Sequence, residues 1–161
     1  RVYLGLGRFE EAAETYQKMI DLSPENYLGM QGLQAAYAAL GRTEAAMEVT
    51  RRLVAFFPGY LARVPDDARA HILFASYLAE VGEAEQALQE ADTALALGGN
   101  DAVMLYNLCC VLCFLGEKEK AADTFARSPA AGYGHLQWAR RDPDLEPIRD
   151  HPTYVALMEG K

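Results

Sequence analysis

Residues 37–58 read YAALGRTEAAMEVTRRLVAFFP, and residues 3–24 read YLGLGRFEEAAETYQKMIDLSP. The two stretches align without a gap: Tyr, then Gly four residues later, then Ala, then Pro, each at the same offset. Residues 78–99 and 112–133 fall into the same frame. The shared anchors are Gly7, Gly41, Gly82 and Gly116, spaced 34, 41 and 34 apart, so the middle interval is a 34-residue period with seven residues inserted. Five residues after each Gly stands Ala12, Ala46, Ala87 or Ala121, and nine after stand Tyr16, Thr50, Ala91 and Phe125. Four before stand Tyr3, Tyr37, Leu78 and Leu112; eight before stand Leu33, Phe74 and Leu108. A self-similar period of this length is the mark of a stacked repeat.

Composition says what the repeat is made of. The chain has 161 residues, with 27 Ala and 20 Leu against 8 Val and 3 Ile. Strong helix formers outnumber β-branched aliphatics several-fold, so the expected class is all-α. The Gly supplies a turn between two helices, the small Ala lets them approach, and the aromatic and Leu positions fill the wedge between them. The expected helices are 1–6, 9–22, 26–40, 43–57, 67–81, 84–97, 102–115 and 118–127. Pro58 is read as the stop of the fourth and Pro129 as the stop of the last. Pro65 followed by Asp66 and Asp67 is read as a stop and then an N-cap.

This pattern resembles the tetratricopeptide repeat, whose 34-residue unit is a helix–turn–helix. The resemblance implies a right-handed superhelix, an α-solenoid, of about three and a half units: 1–26 in part, 27–60, 68–101 and 102–134, with 61–67 as an insert. Residues 135–161 leave the period. They read as a short helix (135–141), a proline-rich turn and a last helix (151–159), a C-terminal cap to which Trp138, Leu145, Ile148, Tyr154 and Leu157 contribute apolar surface. LYNLCCVLCFLGEKEKAADTF (105–125) with QWARRDPDLEPIRDHPTYVAL (137–157) is similar to the closing segment of repeat regions in bacterial multidomain signalling proteins. There the repeats follow a kinase, nucleotide-cyclase or TolB-like domain. YLARVPDDARA (60–70) points to the same group. The chain lacks an initiator Met, and is expected to be a piece of a longer protein.

Charge and chemistry exclude more than they assign. The net charge is −8, and no Lys or Arg occurs between Ala70 and Glu117, against seven acidic residues. A basic stripe is the footprint of a nucleic-acid binder, so nucleic acid is not an expected partner. The longest apolar stretch, 102–115, is shorter than the roughly 20 residues that span a bilayer, and no membrane insertion is expected. Cys109, Cys110 and Cys113 are odd in number and sit in one apolar helix, so they read as packed thiols of a reducing cytoplasm rather than disulfides or zinc ligands. Asp142, Asp144 and Glu146 alternate as in a cation loop, but prolines interrupt them and they read as N-caps and solvated carboxylates. His71 reads as a packing residue, and His135 and His151 as capping residues. No nucleophile–base set and no phosphate loop is present. The expectation is therefore no catalytic residue, no metal, no cofactor and no enzymatic activity.

What the resemblance implies is a protein–protein interaction scaffold. First helices line the concave face, at Leu28, Gln31, Gly32, Ala35 and Ala38, then Arg69, Ile72, Leu73, Ser76 and Glu80, then Val103, Tyr106, Asn107, Cys110 and Phe114. The expected partner-binding set is Gln31, Arg69, Ile72, Ser76, Tyr106, Asn107, Cys110 and Phe114. The groove is poor in the Lys, Arg and Asn that hold a C-terminal carboxylate, and its small and apolar lining suits an apolar or helical protein or peptide segment. The alternative is a structural module that associates, as a homo-oligomer or with a neighbouring domain, through the open edge of its incomplete first unit.

Overall fold

The computed structural model describes residues 7–98, 101–134 and 136–160; of Trp138 it describes the backbone alone. The expectations placed on residues 1–6, Gly99, His135 and the Trp138 side chain lie outside the described residues. Every regular element among the described residues is helical: α1 (Phe9–Leu22), α2 (Tyr27–Ala39), α3 (Thr43–Leu61), α4 (Ala68–Glu80), α5 (Ala84–Gly98), α6 (Ala102–Phe114), α7 (Lys118–Arg127), α8 (Leu136–Ala139), a 3-10 helix (Pro143–Ile148) and α9 (Pro152–Glu159). The fold class is all-α. No helix among the described residues is long and apolar enough to cross a membrane.

The register glycines explain why helices come in pairs. Gly41, Gly82 and Gly116 have φ of +68°, +88° and +76°, and Gly7 has +72°. This left-handed region strains any residue with a Cβ. Each of the first three closes its helix with the same two bonds. Arg42, Glu83 and Glu117 donate N–H to the carbonyls of Tyr37, Leu78 and Leu112 at 2.9, 2.8 and 2.9 Å. Gly41, Gly82 and Gly116 donate to Ala38, Ala79 and Cys113 at 3.0, 3.1 and 3.1 Å. This double closure satisfies carbonyls that a helix end otherwise leaves open and reverses the chain within two residues. The returning helix then lays its Ala five positions on against its partner: Ala46, Ala87 and Ala121 are all buried, and Ala12 at the same offset is buried too.

The two helices of a pair start differently. First helices begin on a side-chain cap: Asn26 accepts from Gly29 N at 3.2 Å, Asp67 from Ala70 N at 2.9 Å, and Asp101 from Val103 N and Met104 N at 2.8 and 3.0 Å. Second helices α1, α3 and α7 have no side-chain cap bond. The glycine turn already fixes where they start.

The chain divides between Arg63 and Val64 into two compact units. In the first, α2 packs against both α1 and α3. Gly32 lies under the Tyr16 ring, where an added Cβ would fall 2.3 Å from the ring carbons. Gly32 is thus a close-approach residue between helices rather than groove lining. The unit also corrects the expected end of α3. Pro58 does not stop the helix, which runs on to Leu61. A Pro in a helix interior costs about 3 kcal/mol, but the extra turn brings Tyr60 into a ring cluster. Its centroid lies 5.3 Å from Tyr27 and 5.8 Å from Phe56, and Tyr27 also meets Phe57 at 5.4 Å. Ring pairs of this kind are worth about 0.5–1.5 kcal/mol each beyond their buried area, and Leu61 is buried as well.

In the second unit α4 packs on α5 and α6, and α6 on α7. The tail covers the far side of that last pair: Leu145 and Ile148 are both 0% exposed and join Tyr106, Cys109, Cys110, Phe125 and Tyr154 in one core. Tyr154 stacks on Phe125 at 5.2 Å and donates its hydroxyl to Ala139 O at 3.1 Å. Between α8 and α9 the expected turn is a 3-10 helix, with Pro143 in its first turn and Pro147 inside it. His151 caps α9, as its sequence suggests, its Nδ1 accepting from Thr153 N at 3.3 Å.

Two glycines separate backbone strain from space. Neither Gly82 nor Gly59 has an atom within 4 Å of an added Cβ. Gly82→Ala forces a left-handed alanine and should cost about 1–2 kcal/mol. Gly59→Ala, inside α3, should raise stability by about 0.4–1 kcal/mol. Chemical denaturation of both variants measures the two signs; equal shifts would refute the turn argument.

Candidate functional site

The first-helix face of the second unit is built by α4 and α6, which pack side by side. Positions 103, 107, 110 and 114 recur every three or four residues on α6 and so share one stripe. Their exposures differ sharply. Val103 is 55% and Phe114 41% exposed, Asn107 is half-buried, and Cys110 is 5% exposed. The stripe is interrupted at Cys110 because the chain's own 3-10 helix packs there. On α4, Arg69 is exposed and Ser76 is half-buried, the Ser76 Oγ donating to Ile72 O at 3.1 Å. Ile72 itself is 1% exposed and lies within the packing of its own unit. Gln31, half-buried on α2, belongs to the first unit.

Tyr106 is 7% exposed. Its ring stacks on Tyr133 at 4.5 Å with 11° between planes, and meets Phe125 edge-on at 6.3 Å. Its hydroxyl donates to Asp142 Oδ2. Burial, then the neighbouring Cys110 and Asp142, push the Tyr106 hydroxyl far above the usual phenol range, so it remains a donor. Burial likewise pushes the Tyr133 hydroxyl up to about 12.

Asp142 uses its other oxygen to cap the 3-10 helix, accepting from Asp144 N at 3.1 Å. It therefore caps, as its sequence suggests, but it is 6% exposed rather than solvated. Arg149 Nη2 reaches the Asp142 main-chain carbonyl at 2.9 Å and pairs with Glu146. Burial, then Asp142 and Glu80, raises the Asp144 carboxyl to about 7. Sequence reasoning kept Cys110 and this aspartate pair apart, more than thirty residues from each other. One signal was present: a Tyr expected near a covered end needs an acceptor for its hydroxyl.

His71 is 8% exposed, with Nδ1 2.5 Å from Glu90 Oε2 and Nε2 3.0 Å from Pro65 O. It ties α4 to α5 and to the turn before α4. Cys109 and Cys113, on the other side of α6, are buried free thiols. Their mutual hydrogen bond and burial push the Cys109 thiol far above its usual range, and such a thiol is a poor nucleophile.

Removing Tyr106 tests whether it belongs to the core. Tyr106→Ala should cost about 3–5 kcal/mol of folding free energy, as large-to-small core changes do. Tyr106→Phe keeps the ring and deletes one bond to a buried carboxylate, and should cost about 1–3 kcal/mol. Urea melts of both variants measure this; an unchanged midpoint for Tyr106→Ala would contradict it.

Comparison with known proteins bears on the fold. Residues 3–73 match the tetratricopeptide repeat family. The chain is 40% identical over 81 residues to the TPR repeat-containing thioredoxin TTL4 of Arabidopsis thaliana, a match that covers 50% of this chain and 11% of that protein. The chain thus spans about a tenth of this relative's length. Among solved structures, a thermophilic TPR protein of Thermus thermophilus superposes with a TM-score of 0.61 at 22% identity, over 88% of this chain and 74% of that one. MamA aligns at a TM-score of 0.48 and 20% identity, over 98% and 79%. The family match is carried by residues 3–73, and the glycine-closed helix pairs with the Thermus neighbour make the fold of this chain an all-α array of TPR-type helix pairs.

Proposed function

We propose that this chain is a non-catalytic module that binds a protein or peptide segment along its first-helix groove. The observation that carries the reading is the α4–α6 face of the second unit. There Arg69, Ser76, Val103, Asn107 and Phe114 keep accessible surface while Tyr106 and Cys110 are covered by the tail. Two large apolar side chains with an amide between them suit an extended or helical segment, because Asn107 can both donate to and accept from a backbone. The tail then sets the end of the groove, and Tyr106 supports it from below.

Peptides selected from a displayed random library against the folded chain test this. Their affinity should fall at least tenfold in an Asn107→Ala/Phe114→Ala double variant and stay unchanged in Gln89→Ala on the exposed face of α5. Equal affinities in all three proteins, or selections that return no binder, would reject the groove.

A second reading has its own observation. Leu22 is 88% and Leu28 43% exposed at the junction of α1 and α2, which is apolar surface that self-association would cover. Sedimentation over a hundredfold range of concentration, with Leu22→Ser beside the parent, distinguishes this reading: a dimer lost in the variant supports it, and a concentration-independent monomer rejects it.

A further inference from the structure

Beneath the tail of the second unit, three side chains turn their ligating atoms toward one point. Cys110 Sγ and one carboxylate oxygen each from Asp142 and Asp144 all lie within 4.8 Å of one another. Cys110 and Asp142 are 5% and 6% exposed, and Asp144 is half-buried, at the solvent edge of the cluster. Asp142 has a structural task, holding Tyr106 and capping the 3-10 helix. Neither bond explains why the Asp144 carboxylate and the Cys110 thiol gather around it.

Cys110 is the independent sign. Cys109 and Cys113 bond each other on another side of α6. Among the described residues, the Cys110 thiol takes no hydrogen bond from another residue, yet it is buried and aimed at the two carboxylates. The local charge is one-sided as well, with two carboxylates gathered beside one thiol. The nearby Arg149 donates to the main-chain carbonyl of Asp142 and to Glu146.

We propose that Cys110, Asp142 and Asp144 form a site for a thiophilic divalent cation of the zinc class, and that the bound ion ties the tail to α6. Two carboxylates alone would suit magnesium or calcium; a thiolate beside them turns the preference to zinc. Zinc bonds sulfur at about 2.3 Å and oxygen at about 2.0–2.2 Å, and a solvent molecule completes four-coordination where the protein gives three ligands. Binding draws the three atoms closer than 4.8 Å. It forms one metal–sulfur and two metal–oxygen bonds and releases the thiol proton, with any proton on Asp144, to solvent. The Tyr106 hydroxyl orients the Asp142 carboxylate from behind. Asp144, at the solvent edge, is the ligand an incoming ion meets first.

Cobalt(II), a coloured stand-in for zinc, is the probe, added alone to the reduced full chain. A sulfur-to-cobalt charge-transfer absorption should rise and saturate at one equivalent. Cys110→Ser, which keeps the size of the side chain, should abolish the band, and Cys109→Ser should keep it. Asp144→Asn should weaken binding at least tenfold while circular dichroism shows the chain still folded. Zinc should raise the melting temperature of the parent and leave that of Cys110→Ser unmoved. No band with millimolar cobalt in the folded parent would overturn the site. A band that survives Cys110→Ser, or an affinity unchanged by Asp144→Asn, would overturn it too.

Discussion

The left-handed glycine at the end of each first helix is the constraint on which the array depends. It lets two backbone N–H groups turn back onto the helix they have just left, and the chain reverses with no spare residues in which to drift. Everything in register follows from that. The returning helix has only one rotation about its axis that places the next Ala, Ala46, Ala87 or Ala121, against its partner, and all three are buried there. A longer connection would leave that rotation free, and the 34-residue spacing would have no physical cause. The missing side-chain caps on α3 and α7 belong to the same account, because the turn has already chosen their first residue.

What the sequence made legible were the features with a local cause. Glycine at a positive φ, alanine at a close approach and aspartate at a helix start each act within a few residues, so their spacing appears directly in the chain. Pro58 misled for an instructive reason. The penalty of a helical proline is local and was read correctly, but its compensation, Tyr60 reaching Tyr27, spans thirty-three residues and leaves no periodic trace. Gly32 misled in a similar way: its place on a first helix suggested groove lining, whereas the Tyr16 ring on the preceding helix claims the space. The contact of Asp142 with Tyr106 was illegible because the tail has left the repeat, and no register predicts where it lands.

The tail changes how the face of α6 is to be understood. A stripe of four positions on one helix would ordinarily be a continuous surface. Here the third is sealed by a 3-10 helix that carries two fully buried apolar residues, Leu145 and Ile148. Burying such side chains is worth roughly 1.5–3 kcal/mol each, enough to hold an aspartate pair beside a thiol in spite of the charge cost. Apolar packing therefore decides where the acidic groups sit, and their electrostatics follows.

The three thiols have a practical consequence. All lie in α6, at 0%, 5% and 4% exposure, and the sequence has no other cysteine. A thiol reagent reaches them only when α6 parts from α7 and the tail. The rate at which the chain takes up label is then a clock for the opening of the last helix pair, counted in events of one local unit. It carries no information about residues 7–63, so the parent sequence already contains a reporter able to tell whether the two units open together or apart, when set beside a global melt.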